Sequence, residues 1–295
     1  MVLPKFEYLA PTTLDEAMQL YNELGSGAKI MAGGTDIIPP MRDKAPGSKC
    51  DFLIDIKHVP GLDYIEYDEK QGLKIGCLTK LYDIQTSKLV REKNPAVAQA
   101  AKYVASTQIR HKGTMVGNIC NASPSCDTAP ILISCGAVAK VHGRDADRDL
   151  PLGEFFKGVK KTNLEPGEIV TGLVIPPLAE DECAAYIKFS VRKAMDLAIV
   201  GVAAWLKMDG KKVVDARITL GAVAITPVRA YNAEKALIGN EISDELLQKV
   251  GVAAMSDCKP ISDVRASAEY RHDMVRVFTK RAIMKALEGY KEGEI

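Results

Sequence analysis

Apolar and polar positions follow two rhythms along this chain. Leu14, Ala17, Met18, Tyr21 and Leu24 recur at helical spacing, and Gly25 ends the run. Thr13 and Glu16 stand at capping-box spacing, which predicts a helix start there. Short apolar runs at 29–32 and 52–56 read as strands, so residues 1–58 form a strand–helix–strand lobe. Residues 73–76 predict a further strand. Asn94 and Pro95 open a second helix as cap and first helical residue, with Val97, Ala98, Ala101, Val104 and Ala105 on its buried face.

From 106 to 128 the rhythm stops, and Gly, Asn, Ser, Thr and Pro dominate. A long irregular stretch inside a compact domain is functional or disordered. The interspersed Ile109, Met115, Val116, Ile119 and Pro130 argue for order. Strands resume at 137–139 and 168–170. Pro176-Pro177 and the acidic residues 180–182 mark a boundary. Beyond it, apolar-rich runs at 198–208 and 212–225 flank Asp209-Gly210, a hairpin signal. Helices are expected at about 243–256 and 264–288. The reading is α+β throughout: a domain at 1–176 with lobes 1–58 and 59–176, then a smaller α+β domain at 177–295.

Composition acts by exclusion. With 39 basic and 38 acidic residues the net charge is +1, which attracts neither nucleic acid nor an anionic membrane. No apolar run approaches the roughly 20 residues that span a bilayer, so membrane insertion is not expected. The start, Met1-Val2-Leu3-Pro4-Lys5, has no long apolar segment behind it, and a cytoplasmic location is expected. Seven cysteines with no Cys-x-x-Cys pair argue against a disulfide framework. Cys120, Cys126 and Cys135 lack the close pairs of a zinc or iron–sulfur site, so no metal ligand is assigned. Of four histidines, none sits in a nucleophile motif. His111 is the best placed for a polar contact, and Trp205 reads as core.

Two segments carry candidate chemistry. Ala32-Gly33-Gly34-Thr35-Asp36 follows an apolar strand. Glycines there would let the backbone approach a diphosphate and turn N–H groups toward it. The same five residues could be a plain turn, and they match neither the Rossmann fingerprint nor a P-loop. The second segment, 113–130, offers backbone donors, hydroxyls, amides and one carboxylate, Asp127. A carboxylate repels phosphate but accepts from ribose hydroxyls or a ring N–H. A structural loop is the alternative.

Taken together and in this order, the segments resemble the FAD-binding medium subunits of molybdenum hydroxylases, such as xanthine dehydrogenases and carbon monoxide dehydrogenase. Ile75-Gly76, Gln108-Ile109-Arg110, Tyr186-Ile187-Lys188-Phe189, Arg192-Lys193-Ala194-Met195-Asp196 and Val264-Arg265-Ala266-Ser267 extend the likeness to nearly the whole chain. The resemblance implies an FAD domain of the vanillyl-alcohol-oxidase-like (PCMH) type. Lys29, Ile30, Met31, Ala32, Gly33, Gly34, Thr35 and Asp36 would wrap the diphosphate of a non-covalent FAD. Thr114, Met115, Val116, Gly117 and Asn118 would complete the cradle. Ala105, Asp127, Lys161, Val170 and Lys188 would supply further contacts.

One departure stands out. The family pairs two glycines where this chain has Val116-Gly117, so either the backbone is ordinary there or the loop is shifted. The resemblance also implies a molybdopterin-binding large subunit and a [2Fe-2S] small subunit as partners, with NAD or another acceptor. It favours a purine or other N-heteroaromatic dehydrogenase. No catalytic side chain is expected, because the redox chemistry is the flavin's. Two rival readings are a self-contained FAD oxidase or reductase and a flavin-free binding module on the same fold.

Overall fold

The computed structural model describes residues 3–192 and 194–290. Met1 and Val2 of the chain start, Lys193 of the 192–196 motif and residues 291–295 lie outside the described residues.

The first lobe contains strand β1 (Glu7–Leu9), helix α1 (Leu14–Leu24), strand β2 (Ala28–Met31) and strand β3 (Phe52–Asp55). Thr13 Oγ1 accepts the Glu16 N–H at 3.2 Å, as the cap spacing predicts. The Glu16 carboxylate reaches back to the Thr12 N–H at 2.8 Å, one residue earlier than a standard capping box. Strand β3 lies between β1 and β2 and pairs parallel with both. Parallel strands need crossovers: α1 joins β1 to β2, and the connection at 32–51, with a short helix at Ile38–Arg42, joins β2 to β3.

The second lobe is an antiparallel sheet. Strands β4 (Ile65–Asp68) and β5 (Gly72–Gly76) lead into helices α2 (Pro95–Tyr103), α3 (Thr107–Arg110), α4 (Met115–Cys120) and α5 (Ala129–Ser134). Strands β6 (Val138–His142), β7 (Arg148–Pro151) and β8 (Ile169–Ile175) complete the order β4-β5-β8-β6-β7. The stretch expected to be irregular, 106–128, therefore holds two short helices. They are too short to print an apolar stripe. Their caps are nevertheless in the sequence: Ser106 Oγ accepts from Ile109 N–H at 3.3 Å, and Thr114 Oγ1 from Gly117 N–H at 2.9 Å. Val116 lies inside α4, so its backbone is ordinary and does not require a glycine. Helix α2 ends at Tyr103, short of the expected Ala105, whose φ is +46°.

The last region is a four-stranded antiparallel sheet of β9 (Glu182–Phe189), β10 (Val200–Asp209), β11 (Lys212–Gly221) and β12 (Val228–Arg229). Asp209 pairs with Lys212 across a two-residue connection whose Gly210 has φ +55°. Strand β11 stops at Gly221, short of the expected residue 225. Helices α6 (Tyr231–Leu237), α7 (Asp244–Met255) and α8 (Ala268–Glu288) follow. Helix α8 begins at its Ser267 cap, later than expected, because the preceding residues form a turn. In it Asp263 Oδ1 accepts from the N–H groups of Arg265 and Ala266.

Strands β9 and β10 belong to two cores. Tyr186, Ala203 and Trp205 pack into the core of the first two lobes. Their neighbours Ala185, Val202, Ala204 and Leu206 pack under α7 and α8. Successive strand residues face opposite ways, so a strand buried on both faces reads as one unbroken apolar run. Among the described residues, no helix is long and apolar enough to cross a membrane.

Candidate functional site

A cavity of about 1260 Å³ opens between the first two lobes, with a segment of the last region at its rim. It exceeds the ~300–1000 Å³ of common small-molecule sites. The expected site residues line it, with three exceptions: Met31, Met115 and Lys188. Met31 packs with Met41, Cys50 and Leu53 in a small core, and Met115 is fully buried in the main one.

One wall is the turn after β2. The N–H groups of Gly33, Gly34, Thr35 and Asp36 have no protein acceptor among the described residues, while the Gly34 carbonyl accepts from Ile37 and Ile38. Four amides left unpaired in a cavity wall suit an anionic ligand. The two glycines act differently from the sequence expectation. A Cβ on Gly33 would collide with the Lys112 carbonyl oxygen, so Gly33 lets the two cradle segments meet each other. Gly34 has φ +72°, and a Cβ there would point at Met31 Sδ, away from the cavity. Lys29 Nζ donates to the carbonyls of Gly47 and Ser48, both 3.1 Å away, and so pins the 45–48 loop to the rim. Weak hydration pushes the Asp36 carboxyl up, with Lys160 across the cavity opposing.

The facing wall is α3, α4 and the residues around them. Arg110 Nη1 donates to the carbonyls of Val104 and Ala105, holding Ala105 in its left-handed turn. Asn118 Oδ1 accepts from Thr128 Oγ1 at 2.7 Å and from Cys126 Sγ at 3.0 Å, so only its amide N–H₂ is left for a ligand. Cys77, Cys120 and Cys126 also line the cavity. Burial pushes their thiols up to about 12, 12 and 11, so all three are neutral near pH 7. Lys161 and Val170 approach from a β-hairpin and from β8. His111 does not reach the cavity; it stacks on Tyr82 at 3.7 Å between ring centroids. Met195, Asp196 and Leu197, overlooked as site residues, overhang the rim. The Asp196 carboxylate accepts from the N–H groups of Arg192 and Leu197, which hold it below the usual range.

Asp127 is a buried carboxylate in the cavity lining. Its Oδ1 accepts from Tyr186 Oη at 3.1 Å and its Oδ2 from Lys188 Nζ at 2.7 Å. Lys188 also donates to the Tyr103 carbonyl at 3.1 Å. Lys188 therefore meets Asp127 from behind rather than lining the cavity itself. Burial pushes the Asp127 carboxyl up, against the opposing pull of the Lys188 ammonium and the Tyr186 hydroxyl. Among the described residues, no group of three or more His, Cys, Asp or Glu is arranged to hold a metal.

These features fit a flavin dinucleotide: a large volume, free amides beside two glycines, and a buried carboxylate in the lining. The family described as FAD binding domain in molybdopterin dehydrogenase matches residues 4–178. That described as CO dehydrogenase flavoprotein C-terminal domain matches 185–286. The carbon monoxide dehydrogenase medium chain of Hydrogenophaga pseudoflava is 34% identical over 97% of this chain and 98% of its own. The glyceraldehyde dehydrogenase medium chain of Sulfolobus acidocaldarius is 31% identical over 96% and 98%. A chain of the solved Hydrogenophaga pseudoflava carbon monoxide dehydrogenase superposes with TM-score 0.93 at 35% identity, covering 98% of this chain and 99% of that one. The chain belongs to the family of FAD-binding medium subunits of the molybdenum hydroxylases.

Proposed function

We propose that this chain is the electron-transfer flavoprotein of a hetero-oligomer with a molybdopterin-binding large subunit and a [2Fe-2S] small subunit. The observation that carries the reading is one large cavity lined both by the free amides at 33–36 and by the buried Asp127 carboxylate. When bound, FAD supplies chemistry that can take electrons from the partner's clusters and pass them to NAD or another acceptor. The chain's own residues bind and orient. The 33–36 amides and Gly33-Gly34 face the diphosphate, Thr114 and Asn118 complete the cradle, and Asp127 accepts from polar hydrogens of the cofactor. Neutral Cys77, Cys120 and Cys126 offer no thiolate, which supports non-covalent retention. Seven free cysteines support a cytoplasmic setting. The two cores support domains at 1–176 and 177–295. A purine or another N-heteroaromatic, oxidised in the large subunit, completes the proposal.

The test is to purify the chain and precipitate it with acid, which should release all its flavin. The flavin-loaded chain is then mixed anaerobically with purines, N-heteroaromatics and aldehydes. The flavin colour should persist with each and bleach only when the large and small subunits are added. Bleaching by the isolated chain at a useful rate overturns the subunit reading.

A further inference from the structure

The Asp127 carboxylate belongs to the first domain, yet both donors that hold it come from one strand of the second. Tyr186 and Lys188 stand two residues apart on β9, so their side chains leave the same face of the sheet. Tyr186 is 1% exposed, and its ring lies edge-on to Tyr103 at 6.0 Å. The second sheet is cut to admit this contact. Gly201 pairs with Lys188 across β9 and β10, and with Gly221 across β10 and β11. A Cβ on Gly201 would stand 2.7 Å from Tyr186 Oη, and one on Gly221 would stand 2.9 Å from Pro130 Cγ. The two glycines make room for the tyrosine hydroxyl and for the segment that follows Asp127.

We propose that Tyr186 is a positioning residue for cofactor binding, which with Lys188 fixes both oxygens of Asp127 so that their remaining lone pairs face the cavity. The inference rests on the flavin reading above. A carboxylate has about four lone-pair sites. Tyr186 and Lys188 take one on each oxygen from behind, and one on each is left toward the ligand. An aspartate held by Lys188 alone could turn about its terminal bond and present one oxygen. The charged and titratable groups around Asp127 are Lys188 and Tyr186 on β9, the adjacent Cys126, and Tyr103 at the end of α2. Of these only Lys188 and Tyr186 donate to the carboxylate among the described residues.

The experiment titrates the flavin-depleted full chain with FAD across pH, following fluorescence. It compares wild type, Tyr186→Phe, Asp127→Asn and the double variant. Tyr186→Phe should weaken FAD binding about tenfold, the size of one hydrogen bond to a charged group. It removes a bond to the ionised carboxylate, so the acid limb of the affinity profile should move to higher pH. In the Asp127→Asn background the same change should add almost nothing, and the acid limb should vanish. Gly201→Ala, which presses on the hydroxyl without removing it, should displace the limb in the same direction. Wild-type affinity and limb in Tyr186→Phe would overturn the proposal, as would an equal loss in both backgrounds. A wild-type chain that takes no FAD at any pH would overturn the flavin reading instead.

Discussion

Two parts of the cavity lining are built by different means. At the 33–36 turn, the geometry comes from adjacent residues: an apolar strand stops, two glycines follow, and four amides in the cavity wall have no protein acceptor among the described residues. At Asp127, the geometry comes from residues 59 and 61 positions away in sequence. The first part can be found by reading along the chain. The second exists only once β9 has packed against the first domain. The contrast teaches that a candidate binding turn can be local while the charge proposed to serve the same cavity is not.

Five substitutions sharpen this contrast. Lys188→Met should have the largest effect on stability. It leaves a buried carboxylate without its cation, a change that costs about 3–5 kcal/mol. The folded-state carboxyl, already raised, would rise further. The loss should be full near neutral pH and shrink as pH falls and Asp127 takes a proton. Denaturant melts at pH 7 and pH 5 check this, and an equal loss at both would show that the ion pair is not what matters.

Gly33→Val strikes the local part. Its side chain meets the Lys112 carbonyl, and overpacking of this kind costs about 1–3 kcal/mol. Flavin retention should be lost although the chain stays folded, as read by the flavin-to-protein ratio beside a circular dichroism melt. Gly34→Val should act through its positive φ alone, about 1–3 kcal/mol of strain.

Asp263→Asn supplies a long-range control away from the cavity. Arg271, almost fully buried, donates to Asp263 and to the carbonyls of Ile199 and Ala222. A backbone N–H at Arg265 and the Arg271 guanidinium hold the Asp263 carboxyl down at about 2. A depressed carboxyl stabilises above its unfolded pKa near 4 and loses that contribution as pH falls toward 2. The substitution should cost about 1 kcal/mol at pH 7 once solvent screening is allowed for, and almost nothing at pH 2. Flavin affinity should not change; a change would mean that the second domain acts on the site through more than Asp127. The smallest effect is expected from Thr114→Ala, which removes the cap of α4 and costs about 1 kcal/mol in thermal melts.

The sequence carried the α+β class, the helices with clear caps, the apolar strands and the cradle turn, because each depends on neighbours a few residues apart. Thr13 and Asn94 cap where their residue type and spacing suggest, whereas the Ser267 cap starts α8 later than the expected 264. The resemblance added the second wall residue by residue. The four- and six-residue helices at Thr107–Arg110 and Met115–Cys120 stayed hidden, since so short a helix shows no period. The packing constraint on Gly33 stayed hidden because its neighbour, the Lys112 carbonyl, lies 79 positions on.

Tertiary structure alone decided that Met31 and Met115 pack into cores, that Lys188 stands behind Asp127, and that residues 195–197 overhang the rim. The reason is physical. Apolar periodicity records which face of an element is buried, but not what it is buried against. The partner of a buried charge is chosen by the packing of whole domains, and no spacing along the chain encodes it.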